Sequence, residues 1–203
     1  PSKIIFSAPL REARPALAIT LAMRSPVFFI SSISFVNMVR RCCQIQKVLN
    51  IIIMKFNTFM DIAIEEAKKA GTRGEVPIGA VVIDDCGKII SRDGNRTIEL
   101  NDPTAHAEIL VIRKACSILK NQRINNCSLY VTLEPCPMCA AAISNARIAK
   151  LYFGPEDKKS GGVLNGPKIF SHKQCHHKPE VFDEIGTSDS REILKEFFKS
   201  KRF

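Results

Sequence analysis

Thr104-Ala105-His106-Ala107-Glu108, followed downstream by Pro135-Cys136-Pro137-Met138-Cys139, decides how this chain is read. Together the two runs offer one imidazole, two thiols and one carboxylate. Zinc binds thiolate sulfur and imidazole nitrogen, and a catalytic zinc keeps three protein ligands and an open fourth position. His106, Cys136 and Cys139 are the expected ligands, one zinc ion per subunit. The open position takes water, whose pKa zinc lowers towards about 7. Glu108 is then expected to move protons as general base and acid.

Spacing supports these roles. Cys136 and Cys139 are an i,i+3 pair, so at a helix start they share a face. The positive end of the helix favours thiolates there. Pro135 and Pro137 suit that position, because proline is tolerated where the amide has no intrahelical partner. His106 and Glu108 are an i,i+2 pair and point to different sides of a helix, so Glu108 is not expected to be a co-ligand.

A lone CxxC also reads as a structural half-site, a redox pair or two core cysteines. A closed structural zinc site would need a fourth ligand, for which Cys116, Cys127 and Cys175 are the candidates. His-x-Glu combined with Pro-Cys-x-x-Cys is far more specific, being the signature of zinc deaminases that act on nucleobases. The catalytic reading is therefore preferred.

The 203 residues are 45% hydrophobic, enough for one domain plus an appendage. The net charge of +10 is unevenly spread. Residues 1–57 hold eight basic residues and one acid, Glu12. This stretch is read as a basic N-terminal extension, disordered or belonging to a mis-assigned start, ahead of a deaminase domain over 58–203. Its acid-poor composition also resembles an organelle transit peptide. Its apolar runs fall short of the 18 or so residues a membrane helix needs, so no membrane association is expected. The eight cysteines lack a regular framework spacing, and a reducing, cytoplasmic setting is expected.

Hydrophobic periodicity predicts a helix over Asp61–Ala70, with Glu65, Glu66, Lys68 and Lys69 largely away from its buried face. A strand over Gly79–Ile83, a turn at Asp84–Gly87 and a return strand over Lys88–Ser91 form a hairpin. Thr104 is expected to cap the next helix, which runs to about Leu119, with Leu119 facing the core. Strands over Ser128–Leu133 and Lys150–Gly154 bracket an alanine-rich helix from Pro137 to about Asn145. Residues Pro155 to about Ser188 read as a long polar loop. Its Cys175-His176-His177 run invites a second-metal reading, but no further cluster is spaced to complete one. A last helix from about Ser190, capped by Asp189 with Glu192, ends in Phe197-Phe198-Lys199-Ser200-Lys201-Arg202, which pairs aromatics with cations as base stacking and phosphate contact require. The alternation implies a sheet covered by helices, with ligands from two helix starts meeting at one point.

The run Asn101–Glu108, together with Tyr130–Cys139, resembles the bacterial tRNA adenosine deaminase family of the cytidine-deaminase-like superfamily. Glu75–Val81, Asn95-Arg96, Phe153-Gly154 with Asp157, and the Phe197-Phe198 tail fit the same pattern over about residues 58–203. The resemblance implies an α/β, three-layer αβα fold with a central mixed sheet flanked by helices. It implies hydrolytic deamination of adenosine to inosine at the wobble position of a tRNA anticodon, usually tRNA-Arg, by a homodimer. Asn95 would hydrogen-bond the flipped base, Asp157 would lie near the substrate backbone, and Phe198 and Lys201 would hold the anticodon loop. The tail here is less arginine-rich than is common in that family. Two alternatives remain: a deaminase of a free base such as guanine or cytosine, and a non-catalytic zinc-containing RNA-binding protein.

Overall fold

A computed structural model describes residues 59–201; the N-terminal extension and Arg202 lie outside the described residues. The elements are α1 (Phe59–Thr72), β1 (Gly79–Ile83), β2 (Ile89–Gly94), α2 (Ala107–Leu119), β3 (Ser128–Val131), α3 (Pro137–Ala146), β4 (Lys150–Phe153), β5 (Glu180–Phe182) and α4 (Thr187–Lys201). A 3₁₀ turn at Ile169–Ser171 punctuates the segment before β5.

The strands form one sheet in the order β2-β1-β3-β4-β5. β1 is antiparallel to β2 and β3, while β3, β4 and β5 run parallel. The sheet is therefore mixed, as expected. Side chains alternate across it. Ala80, Val82, Leu129, Val131, Leu151 and Phe153 point to the face covered by α2 and α3, where the larger core forms. Val81 and Ile83 point the other way, onto Met60, Ala63 and Ile64 of α1. Ile193 of α4 packs on that second cluster, which completes three layers. Further along the same face Tyr130, Tyr152 and Phe182 stack in register across β3, β4 and β5, with centroids 4.4 Å and 4.6 Å apart. Gly79 lets β1 approach α1 closely, since a Cβ there would collide with the Ala63 carbonyl.

Register places the site. Gly79 pairs with Gly94, Ala80 with Val131, and Val131 with Phe153. The ends of β2, β3 and β4 therefore lie together at one edge of the sheet. The chain leaves that edge to start α2 and α3, which is where α/β sheets gather their ligands.

Several local expectations are corrected. Glu66 is buried, held by Lys69 at 2.8 Å and Arg92 at 3.5 Å, because α1 is covered from the β2 side as well. Leu119 is 41% exposed, since α2 ends at the surface with Lys120 in the left-handed conformation. β2 continues to Gly94, and β5 lies inside the segment read as loop. α4 begins at Thr187, so Asp189 sits in its first turn, where it complements the helix dipole, and does not cap it.

Candidate active site

Both halves of the opening motif arrive at helix starts. His106 is the residue preceding α2, and Cys136 is the residue preceding α3, each in extended backbone conformation. Pro137 follows at the first helical position, and Cys139 is buried in the first turn. Thr104 does not cap α2. Its hydroxyl and amide both donate to Asp102 Oδ1, at 2.6 Å and 2.7 Å, closing a tight turn ahead of His106. The capping role passes to Asn95, whose Oδ1 accepts the Ala107 N–H at 2.9 Å.

His106 Nδ1 lies 3.7 Å from Cys136 Sγ and 3.6 Å from Cys139 Sγ. Ligand atoms of the three residues lie within 4.8 Å of one another. Zinc bonds of about 2.3 Å to sulfur and about 2.0–2.1 Å to nitrogen, at a tetrahedral angle, put nitrogen and sulfur about 3.5–3.6 Å apart. The donors already stand at that separation. Among the described residues none of Cys116, Cys127 and Cys175 joins the cluster, so the described triad is an open one.

The electrostatics fit the same group. A hydrogen bond from Cys139, outweighing burial, draws the Cys136 thiol down to about 4. The reciprocal bond to Cys136, with burial and the Glu108 charge, pushes Cys139 up. The bond to Cys136 also raises His106, against burial. Burial drives the Glu108 carboxyl up to about 7, helped by the Cys136 thiolate and opposed by His106. Cys136 thus favours its thiolate while Cys139, Glu108 and His106 are pushed to keep their protons, a conflict that a dication would relieve.

Glu108 is 4% exposed, stands outside the triad, and lines the same cavity of about 430 Å³ as His106 and Cys136. That volume lies within the range of small-molecule sites. Asn95, Asp157 and Phe198 also line it. Lys201 does not. It lies exposed near the end of α4, with its ammonium 5.6 Å from the Phe197 ring centroid. Phe197 and Phe198 meet edge to face at 5.5 Å. Asp157 Oδ1 accepts the N–H groups of Lys159 (2.9 Å) and Ser160 (3.1 Å), so this carboxylate shapes its own loop as well as facing the cavity.

Two buried carboxylates were not assigned from sequence. Glu134 binds the 157–165 segment through Asp157, Val163, Leu164 and Asn165. Glu75 accepts the N–H groups of Ile98 and Glu99 and the Thr97 hydroxyl, each at 2.9 Å. The signal available was an acidic residue set in an apolar run beside a motif. Cys175-His176-His177 forms no second metal cluster among the described residues. His177 Nε2–H donates to the Ile148 carbonyl at 2.6 Å, and Cys175 and Ser144 donate to the His177 carbonyl. The run clips the loop to α3.

Residues 54–155 match the family model of the cytidine and deoxycytidylate deaminase zinc-binding region. The tRNA-specific adenosine deaminase of Agrobacterium fabrum is 57% identical over 144 residues, which make up 71% of this chain and 94% of that protein. The chain belongs to the tRNA-specific adenosine deaminases. The tRNA-specific adenosine deaminase of Rickettsia bellii is 43% identical over 141 residues, 69% of this deaminase and 97% of that one. A solved structure from a study of A-to-I editing by tRNA:A34 deaminases at the wobble position of transfer RNA is 57% identical. It superposes with a TM-score of 0.66, covering 67% of this deaminase and 98% of that chain. The deaminase is thus an enzyme, a hydrolase, and its αβα fold is the one the resemblance implied. No helix among its described residues is long and apolar enough to cross a membrane.

Proposed function

We propose that this deaminase converts adenosine to inosine at the wobble position of a tRNA anticodon, in tRNA-Arg, with one zinc ion per chain held by His106, Cys136 and Cys139. The carrying observation is the placement of Glu108. It is buried beside the three donors without joining them, and it opens onto a cavity that also has an aromatic and a loop cation on its walls. A structural zinc site has no use for a free carboxylate there. When bound, the zinc acidifies a water for attack on the ring carbon that bears the amino group.

The chain's own residues do the rest. Glu108 carries a proton to the ring nitrogen beside that carbon and then to the departing amine, which leaves as ammonia. Asn95 has its oxygen committed to Ala107, so its amide nitrogen is the donor left for the base edge. Phe198 offers an aromatic face at the rim, where it is 48% exposed, and neighbouring bases can stack on it. Lys159 supplies a cation on the opposite loop. Lys201, one turn beyond Phe198, is assigned to the backbone of the anticodon stem rather than to the cavity. An anticodon loop is already single-stranded, so turning one base outward costs less than in a duplex.

A homodimer working in the cytoplasm completes the reading, as the family resemblance implies. Sedimentation velocity tests the dimer.

The substrate test is direct. The zinc-loaded protein is given an anticodon stem-loop with wobble adenosine and, separately, free adenine, cytosine and guanine. Inosine in the stem-loop with no turnover of free bases is expected. Turnover of a free base alone would overturn the RNA assignment.

A further inference from the structure

Glu134 follows β3, two residues before Cys136, and is 3% exposed. Its Oε1 accepts the N–H groups of Val163 (3.1 Å), Leu164 (2.8 Å) and Asn165 (2.9 Å). Its Oε2 accepts the Asp157 N–H at 2.9 Å and Asn165 Nδ2 at 2.7 Å. All of these donors are amides of the segment 155–166, which contains neither helix nor strand. The main chain adds two stitches: Glu134 N–H to the Pro155 carbonyl (3.1 Å) and Gly162 N–H to the Pro135 carbonyl (2.9 Å). Glycine is required where the segment crosses. A Cβ at Gly161 would lie 2.5 Å from Glu134 Oε1, and one at Gly162 would lie 2.5 Å from the Pro137 nitrogen. The same segment supplies Asp157, Lys159 and Ser160 to the cavity wall. An irregular loop that faces a ligand has few internal bonds to fix it. Here one buried carboxylate fixes it against the start of α3, where Cys136 precedes the helix and Cys139 lies in its first turn.

We infer that Glu134 is a positioning residue: through the 155–166 segment it holds Asp157, Lys159 and Ser160 as the wall that grips RNA beside the target base. Glu134 borders the cavity, but its oxygens are spent on the loop. The inference rests on the RNA reading proposed above.

Glu134→Gln separates this role from a general structural one. The variant keeps the shape but replaces one acceptor oxygen by a donor. In either orientation the new NH₂ faces at least two N–H groups that need an acceptor. The Michaelis constant for the anticodon stem-loop is expected to rise about ten-fold with the turnover number within about three-fold, an effect on binding rather than chemistry. Zinc content stays at one per chain. Hydrogen exchange at the amides of Asp157, Val163, Leu164 and Asn165 speeds up, while the α2 and α3 amides hold. Asn165→Ala removes a single donor to Oε2 and serves if the first variant does not fold. Its Michaelis constant is expected to rise about three-fold, with faster exchange in the same segment. Unchanged exchange and an unchanged Michaelis constant would overturn the inference. So would a loss of zinc with falling turnover, which would make Glu134 a support for the cysteines. If the unaltered protein fails to edit the stem-loop, the proposed function falls instead, and loop exchange alone then decides whether Glu134 holds the segment.

Discussion

Asn95 Oδ1 and the Ala107 N–H are joined at 2.9 Å, so a cavity-lining side chain also caps the start of the helix that begins beside His106. Capping and the base recognition proposed for this side chain would share one amide. The bond fixes which end of the amide faces the cavity, and it ties the position of His106 to that choice.

Asn95→Ala therefore carries two penalties. Loss of the cap costs about 1 kcal/mol. That lowers the melting temperature by about 3 °C for a domain of this size. Loss of the donor to the base lowers kcat/KM on the stem-loop further than the stability change explains. Calorimetry and single-turnover kinetics on one preparation separate the two. A variant as active as the parent would remove Asn95 from substrate recognition.

Glu108→Gln is expected to fold, to keep zinc at one per chain and to lose activity by about 10²–10⁴-fold, the usual range for a positioned proton carrier. The metal stays because Glu108 lies outside the donor cluster. Metal analysis beside stem-loop turnover checks this. Undiminished turnover would end the proton-carrying role, and loss of zinc would make Glu108 a ligand.

His106→Ala removes the nitrogen that stands 3.6 Å and 3.7 Å from the two sulfurs. Zinc content is expected to fall well below one per chain, with activity lost in parallel. Full occupancy measured by plasma mass spectrometry would refute the ligand assignment.

Glu75 sets the pH dependence of the loop leading to His106. Burial acts to raise its carboxyl, but the Glu99 and Ile98 amides and the Thr97 hydroxyl outweigh it and hold the group below its ordinary value of 4.5. A lowered folded value means that its stabilisation is fully present above pH 4.5 and disappears as pH falls through the folded value. Glu75→Gln is expected to lose about 2 kcal/mol at pH 7, as for hydrogen bonds to a charged group. The gap from the parent should narrow as the pH drops below 4.5. Denaturant titrations at pH 7 and pH 3.5 test the sign. A gap that widens in acid would contradict it.

The chemistry was more legible than its supports. His106, Cys136, Cys139 and Glu108, the residues proposed for zinc and proton transfer, stand in two short runs whose residue types have few other uses, and helix-start spacing was enough to anticipate that the three donors cluster. The alternating strands and the alanine-rich α3 were equally plain, because their buried faces repeat with a fixed period. Glu134 and Glu75 were not legible. Their partners are backbone N–H groups more than twenty residues away, and backbone amides carry no sequence signature. β5 was missed because three residues inside a polar segment show too little alternation to register as a strand. The capping of α2 was misassigned to Thr104, since a cap is usually sought next to the helix, whereas Asn95 reaches it from the end of β2.

Zinc K-edge X-ray absorption on the purified full chain tests the central claim most directly, because it counts the ligands. Two sulfurs at about 2.3 Å, one imidazole nitrogen at about 2.0 Å and one further light atom that is exchangeable would match an open catalytic site built on His106, Cys136 and Cys139. Three or four sulfurs would mean a closed structural site that has recruited another cysteine, and the deaminase mechanism proposed for Glu108 would be contradicted.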